Sequence, residues 1–365
     1  MIRIVLLPGD GVGPEVTREA VRALEILSGH QGLGLRFEEH DFGGIAIDNH
    51  GDPLPEATLA ACKDSDAILL GAVGGPKWDD APVRPEAGLL RIRQELGLFA
   101  NLRPASIVRG LEALSPLRAD IAKGADVLVV RELTGGIYFG ERQVSEDRAS
   151  DLCVYSRAEV ERIAHVAFRA ARGRKSRVTS VDKANVLASS KLWRKVVNEV
   201  AAEYPDVALD HMYVDACAMA LVTNPRRFDV ILTENMFGDI LSDELSVIGG
   251  SIGLLGSSSV GGEGPGLFEP IHGSAPDIAG LDIANPSGAI ASAAAMLDSL
   301  GLAESGRILS DAVEMTLLDG VRTADLGGNA GCSEFGARVR ENLKARLAKH
   351  DAHKELVAMN RGCCG

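Results

Sequence analysis

The sequence predicts an α/β protein in which buried strands alternate with amphipathic helices. Short β-branched or Leu-rich runs recur between helical patterns, as in parallel sheets covered by helices. The 365 residues are 46% hydrophobic, enough for one large or two ordinary domains with a real core. No internal repeat or low-complexity tract interrupts this alternation.

Taken in order, residues 2–7 (Ile-Arg-Ile-Val-Leu-Leu) form the first buried strand and lead into the Gly-rich turn Gly9-Asp10-Gly11-Val12-Gly13. Pro14 is a favoured opening residue, and Val16, Ala20, Leu24 and Leu27 mark the inner stripe of the first helix. Residues 67–73, 126–130, 177–181 and 229–233 read as further buried strands. Residues 158–172 and 188–204 read as amphipathic helices, the second stopped by Pro205. Between Tyr138 and Ser156 only weak alternation remains, which fits a loop or an arm that pairs with another subunit. Residues 249–266, rich in Gly and Ser, are expected to cross between lobes.

The net charge of −13 and pI near 5.2 argue against nucleic acid or an anionic membrane as partner. The one basic block, Arg172-Gly-Arg-Lys-Ser-Arg177, falls between a helix and a strand. There is no signal-peptide cleavage pattern and no apolar run near ~18 residues, so a soluble cytoplasmic protein is expected. Cysteines 62, 153, 217, 332, 363 and 364 show no paired CxxC spacing and are expected to be reduced thiols.

Chemistry concentrates in a few segments. Asp239 and Asp243 are four apart at a helix start, so both carboxylates share one face. The pair reads either as half of a hard-oxygen site for Mg²⁺ or Mn²⁺ or as solvated acids of a first turn. Arg93, Arg103 and Arg131 stand beside loops or strand ends, where guanidinium groups bind carboxylate or phosphate bidentately. Each alone reads as a surface ion pair; together with the Asp pair they favour a multiply charged anionic substrate. Tyr138 and Lys183 are candidate acid and base, with pKa values expected to be lowered by a neighbouring metal and arginines. The Gly9–Gly13 turn departs from GxGxxG spacing, since its third glycine falls one residue early, and a tight strand-to-helix turn is the better reading. Residues 269–280 offer backbone donors, a His and an Asp in one loop, which suits a nucleotide cradle.

In order and spacing, GDGVGPE, GPKW, FANLRP, VRELTGGIYFG, DKANVL, FGDILSD, HGSAPDIAG and ANP resemble the isocitrate/isopropylmalate dehydrogenase family of metal-dependent β-decarboxylating dehydrogenases. The likeness runs from residue 2 to about residue 345. It implies a two-lobe, non-Rossmann α/β fold with helices packed on mixed sheets and an intersubunit arm. Residues 1–98 and 252–365 would form the NAD-binding lobe. Residues 99–251, with the arm at about 138–156, would form the second lobe and the interface of a homodimer.

The resemblance also implies roles. The substrate carboxylates would meet Arg93, Arg103 and Arg131, with Asp215 also at the substrate. Tyr138 and Lys183 would be acid and base, and the metal would be held by Asp239 and Asp243 of one subunit and Asp215 of the other. Glu86, Leu89 and Leu90, with Val186 from the partner, are the family's positions for an isopropyl group. Isocitrate enzymes have small polar residues there, so 3-isopropylmalate is the expected substrate, with sister enzymes acting on D-malate, tartrate or another 3-alkylmalate as the nearest alternatives. Glu269, His272, Gly273, Ser274, Ala275, Asp277, Ile278 and Asn285 would bind the cofactor. Asp277-Ile278 stands where NADP-using relatives carry Lys-Tyr, which implies NAD. Glu234, the arm around residues 143–150 and the last ~15 residues depart from the family pattern.

Overall fold

The computed structural model describes residues 1–108 and 110–362, with side chains described as far as residue 352. Cys363 and Cys364, expected as reduced thiols, lie outside the described residues. The chain divides into two compact units, one of Met1–Gly88 with the segment from Phe268 onward, the other of Leu89–Leu267. The family resemblance implies breaks after residues 98 and 251 instead.

The first unit starts with β1 (Ile2–Gly9), α1 (Gly13–Gln31), β2 (Leu35–Glu39), α2 (Gly44–His50), α3 (Glu56–Lys63) and β3 (Ala67–Ala72). β1 is central and pairs in parallel with β2 on one side and β3 on the other. Ile4, Val5 and Leu7 are fully buried, and Val16, Ala20, Leu24 and Leu27 of α1 pack inward as their spacing requires. Gly32 ends α1 in the left-handed conformation, its N–H bonded to the Ser28 carbonyl.

The Gly9–Gly13 turn is a structural clasp. A Cβ on Gly11, whose φ is +56°, would lie 1.9 Å from the Ser274 carbonyl oxygen. Val12 N–H donates to that same oxygen at 2.8 Å, so the turn holds the second Gly-rich loop of this unit. Buried Asp10 accepts backbone N–H bonds from Gly44, Ile45 and Gly74 at 2.8–2.9 Å. This is the tight strand-to-helix turn, fixed from three sides.

α4 (Pro85–Glu95) crosses the boundary into the second unit. There follow β4 (Ala100–Ser106), α5 (Ala119–Ala122), β5 (Asp126–Glu132), β6 (Arg142–Val144), β7 (Ala149–Asp151), α6 (Arg157–Arg172), β8 (Arg177–Asp182), α7 (Ala188–Ala201), β9 (Ala208–Tyr213), α8 (Val214–Thr223), β10 (Val230–Thr233), α9 (Asn235–Ile248) and β11 (Gly256–Val260). Strand order in this unit is β11-β4-β5-β10-β8-β9. β5, β10, β8 and β9 run parallel, whereas β4 is antiparallel to both β5 and β11.

α6 and α7 cover one face, packing Ile163, Phe168, Trp193 and Val196 on Val178, Val230 and Leu232. α8 and α9 share in a core with the alternate strand residues, placing Cys217, Leu221, Leu241 and Leu245 with Val129, Val181 and Ile231. α6 opens with a reciprocal capping box between Ser156 and Glu159. β6 and β7 form a separate antiparallel hairpin within the irregular 138–156 segment.

Several strands are not legible in the sequence, and two of them show why. β4 carries Asn101, Arg103 and Pro104 where a strand ordinarily shows apolar alternation, and its buried Asn101 is satisfied by Ser259 Oγ at 3.1 Å. β11 is a nearly buried Gly-Ser-Ser-Ser-Val run inside the stretch read as a crossing segment. Small side chains in a buried strand carry no hydrophobic period to read. The chain then returns through β12 (Gly266–Pro270) to the first unit and ends in α10 (Ser287–Ser299), α11 (Ala303–Leu318) and α12 (Cys332–Gly362). β12 follows β3 in the strand order. No helix of the described residues is long and apolar enough to cross a membrane.

Candidate active site

Because β5, β10, β8 and β9 are parallel, the segments after all four leave the sheet at one edge. Carboxyl ends of parallel strands are where such folds place ligands. Arg131 lies near the end of β5 and Tyr138 follows in the next turn. Asp239 and Asp243 are on α9, directly after β10, Lys183 follows β8, and Asp215 opens α8 after β9. Topology thus gathers six candidates from four separate segments. Arg103 joins them from β4, whose register sets Asn101 opposite Arg131.

One cluster forms around Asp239. Arg131 Nη1 donates to Asp239 Oδ1 at 2.5 Å, and Arg103 Nη2 lies 3.6 Å from the same oxygen. Arg103 Nη1 donates to Asp243 at 2.9 Å and to Ser242 Oγ at 2.7 Å, while its Nε donates to Asn101. Tyr138 Oη donates to the other Asp239 oxygen at 3.1 Å. The Arg131 side chain is only 4% exposed; burial pushes its guanidinium down to about 10, opposed by Asp239, and it stays charged at neutral pH. Asp243 is held above the usual carboxylate range by burial, with Arg103 pulling the other way.

Tyr138 is also raised above its ordinary value, by burial first and then by Asp239. This corrects the expectation of a lowered phenol pKa: the partner that touches the hydroxyl is an anion, and the cation over its ring, Arg131, has the smaller effect.

Lys183 and Asp215 form a second pair, joined by a hydrogen bond that lowers the Asp215 pKa. β8 and β9 are the second and third strands beyond β5, a lateral offset of roughly 10–14 Å at the usual strand spacing. Within one chain, Asp215, Asp239 and Asp243 do not converge as a ligand group. The only such group among the described residues is Glu15, Asp282 and Cys332, in the first unit. Its chemistry is poor for a metal: both Asp282 oxygens are taken by Ser333, capping α12, and burial pushes the Cys332 thiol up to about 12.

α4 carries Glu86, Leu89, Leu90 and Arg93 at i, i+3, i+4 and i+7, one continuous stripe. Leu89 and Leu90 are half-buried and Arg93 is buried. Val186, in the turn after Lys183, is 65% exposed.

In the first unit, residues 269–278 run from β12 into the clasped loop. His272 donates through Nδ1 to the Gly273 carbonyl, and burial lowers its pKa. Glu269 closes β12 together with Pro270, Gly273 is exposed and Ser274 is buried. Ala275 has φ of +38°, Asp277 is exposed and Ile278 is half-buried. The Asn285 carboxamide accepts from Ser287 N–H and donates to Asp325.

Sequence reasoning missed Asn235, which lies one helical turn before Asp239. It accepts from Arg131 Nε at 3.1 Å and Nη2 at 2.7 Å. The signal was present in the i−4 spacing, but only the strand register shows which arginine it meets.

The chain is similar to known proteins over nearly its whole length. Residues 3–339 match the family described as isocitrate/isopropylmalate dehydrogenase. The chain is 56% identical over 343 residues to 3-isopropylmalate dehydrogenase of Staphylococcus saprophyticus, covering 93% of this chain and 99% of that protein. It is 55% identical over 342 residues to the enzyme of the same name from Staphylococcus aureus strain MRSA252, covering 93% and 98%. Among solved structures, isocitrate dehydrogenase from Methylococcus capsulatus superposes with a TM-score of 0.85 at 35% identity, covering 94% of this chain and 99% of that one. A β-decarboxylating dehydrogenase from Thermococcus kodakarensis gives 0.81 at 40% identity, covering 95% and 98%. With arginines, carboxylates and a phenol gathered at one sheet edge, and a likeness extending over nearly the entire length, the chain belongs to the isocitrate/isopropylmalate dehydrogenase family.

Proposed function

We propose that this protein oxidises and decarboxylates 3-isopropylmalate to 4-methyl-2-oxopentanoate and CO₂ with NAD, a step of leucine biosynthesis, as a homodimer with shared active sites. The observation that carries the reading is the Asp239 cluster, in which buried Arg131, half-buried Arg103, two carboxylates and a phenol meet within hydrogen-bond reach. Relatives more than half identical bear the corresponding name. The Leu89-Leu90 step on α4 fits a branched alkyl group, because a carboxylate placed there would be desolvated without a partner.

The donors fit a divalent cation. Asp239 and Asp243 offer hard oxygens from one helical face and are 34% and 56% exposed; their hydrogen bonds to Arg131, Tyr138 and Arg103 leave each carboxylate with further lone pairs for a metal. When bound, Mg²⁺ or Mn²⁺ supplies Lewis-acid polarisation of the 2-hydroxyl and 2-keto oxygens, and NAD supplies the hydride acceptor.

The chain's residues do the rest. Arg93, Arg103 and Arg131 hold the two carboxylates and orient C2 and C3. Lys183 Nζ of the partner accepts the 2-hydroxyl proton as hydride leaves C2. After CO₂ loss, Tyr138 Oη delivers a proton to C3. Asp277, exposed in the first unit, suits the free ribose hydroxyls of NAD and repels a 2′-phosphate.

Dimerisation is supported by the surface of the second unit. On α8, Asp215, Met219 and Val222 follow at i, i+4 and i+7, and all three are exposed. On α9, Ile240 and Val247 face outward beside Asp243. The apolar stripe and the unmatched metal donor therefore lie on the same helix faces, as expected if a two-fold related copy covers both.

NADH formation measured with 3-isopropylmalate, D-malate, tartrate and isocitrate tests the assignment. The highest kcat/KM should fall on 3-isopropylmalate, EDTA should abolish activity, and Mg²⁺ or Mn²⁺ should restore it. Undiminished turnover in excess EDTA, or a better substrate in that panel, rejects the reading.

A further inference from the structure

We infer that Asn235 is a positioning residue that locks the substrate-binding guanidinium of Arg131 to the turn carrying Tyr138. The inference rests on the proposed function and adds a residue to which no role has been given above.

Asn235 is 1% exposed, and every polar atom of its side chain is used. Its Oδ1 accepts from both Nε and Nη2 of Arg131, and its Nδ2 donates to the Gly135 carbonyl at 3.1 Å. Its backbone N–H donates to Tyr155 Oη at 2.9 Å. The amide has one admissible orientation, since a flip would set its NH₂ against two guanidinium donors and its oxygen against a carbonyl. A guanidinium is a rigid planar fork, so holding the Nε–Nη2 edge fixes the whole plane. The Nη1–Nη2 end is then left toward Asp239 and an incoming carboxylate.

The other half of the lock is the turn. Gly135 N–H donates to buried Glu132 at 2.7 Å while the Gly135 carbonyl receives Asn235. Tyr138 follows three residues later in a short 3-10 turn. One carboxamide thus sets the spacing between the group that anchors the acid and the phenol that protonates C3. Chemistry explains the residue type. Asp would hold Arg131 more strongly, but it would cancel the charge that the substrate needs and turn a second oxygen toward the Gly135 carbonyl. Ala would release both ends.

Steady-state kinetics on wild type, Asn235→Ala and Asn235→Asp test the proposal, with KM and kcat determined separately for the organic acid and for NAD. Wild-type turnover on 3-isopropylmalate judges the proposed function by itself; if another acid of the panel is the substrate, the variants are assayed with that acid. Both variants should raise KM for the acid about tenfold or more and lower kcat, with KM for NAD within about twofold, because Ala removes the hydrogen bonds that orient Arg131, whereas Asp neutralises its guanidinium and repels the Gly135 carbonyl. Asp is favourable in the first turn of a helix, so Asn235→Asp remains a folded test if the Ala variant does not fold. An unchanged KM for the acid in folded Asn235→Asp, with kcat altered only in proportion to the folded fraction, overturns the inference.

Discussion

At Gly238 an added Cβ would lie 2.7 Å from Cγ and 2.9 Å from Cβ of Arg131, and 2.8 Å from Thr233 Cγ2. The absent methyl lets the stem of Arg131 pass close against α9 and reach Asn235 and Asp239. Gly238→Ala should therefore displace the guanidinium, costing about 1–3 kcal/mol of stability by overpacking and raising KM for the acid about tenfold. Gly262→Ala, where nothing lies within 4 Å of the added atom, is the control and should behave as wild type. Urea unfolding and acid saturation curves on the two variants decide this; equal behaviour would show that Arg131 does not depend on Gly238. In the first unit, the pair Asp277-Ile278 makes a cofactor prediction. Replacing it by Lys-Tyr should move the ratio of kcat/KM for NAD over NADP toward NADP, since a carboxylate that repels a 2′-phosphate becomes a cation that binds it. An unaltered ratio would mean that recognition of the ribose lies elsewhere. Residues of this kind were legible because each side chain has a chemistry that its position either uses or wastes. Asn235 was not, because a carboxamide advertises no single role until its partners are known.

The helices bearing the site each have two working faces, and here spacing alone goes far. On α4 the i, i+3, i+4, i+7 stripe orders an acid, two leucines and an arginine, and on α9 Asn235, Asp239 and Asp243 repeat at four. The parallel strands β5, β8 and β10 were readable as apolar runs, whereas β4 and β11 were not, since Asn101, Arg103, Pro104 and a run of three serines hide them. That omission matters: antiparallel β4 delivers Arg103 to Asp243, which no count along the sequence could show. At the foot of the 138–156 excursion, the Ser156 capping box starts α6. Ser156→Ala removes the hydroxyl that accepts Glu159 N–H and should cost about 1 kcal/mol. The midpoint of urea unfolding should fall at constant m-value, with kcat unchanged. A loss of kcat at full folding would mean that the cap also supports the Tyr138 turn.

At the scale of the whole molecule, the Asp239 cluster and the Lys183–Asp215 pair of one chain are separated along the sheet edge, and α8 and α9 expose Met219, Val222, Ile240 and Val247. The β6–β7 hairpin adds exposed Val144, and a two-stranded hairpin by itself is marginally stable in water. These features predict that function is completed between subunits, with Lys183 and Asp215 serving the partner's Tyr138, Asp239 and Asp243. Lys183→Met and Tyr138→Phe should each be inactive as homodimers. In a mixed dimer one site collects both lesions and the other collects neither, so activity should return toward half of wild type per mixed dimer. Subunit exchange is verified with differently tagged chains, and mass is measured by light scattering. Recovery requires Lys183 and Tyr138 of one site to come from different chains; if both came from the same chain, every site in the mixture would carry one lesion. A fully active monomer, or verified mixed dimers without activity, would reject the shared site and leave the Lys183–Asp215 pair as an intrachain ion pair alone.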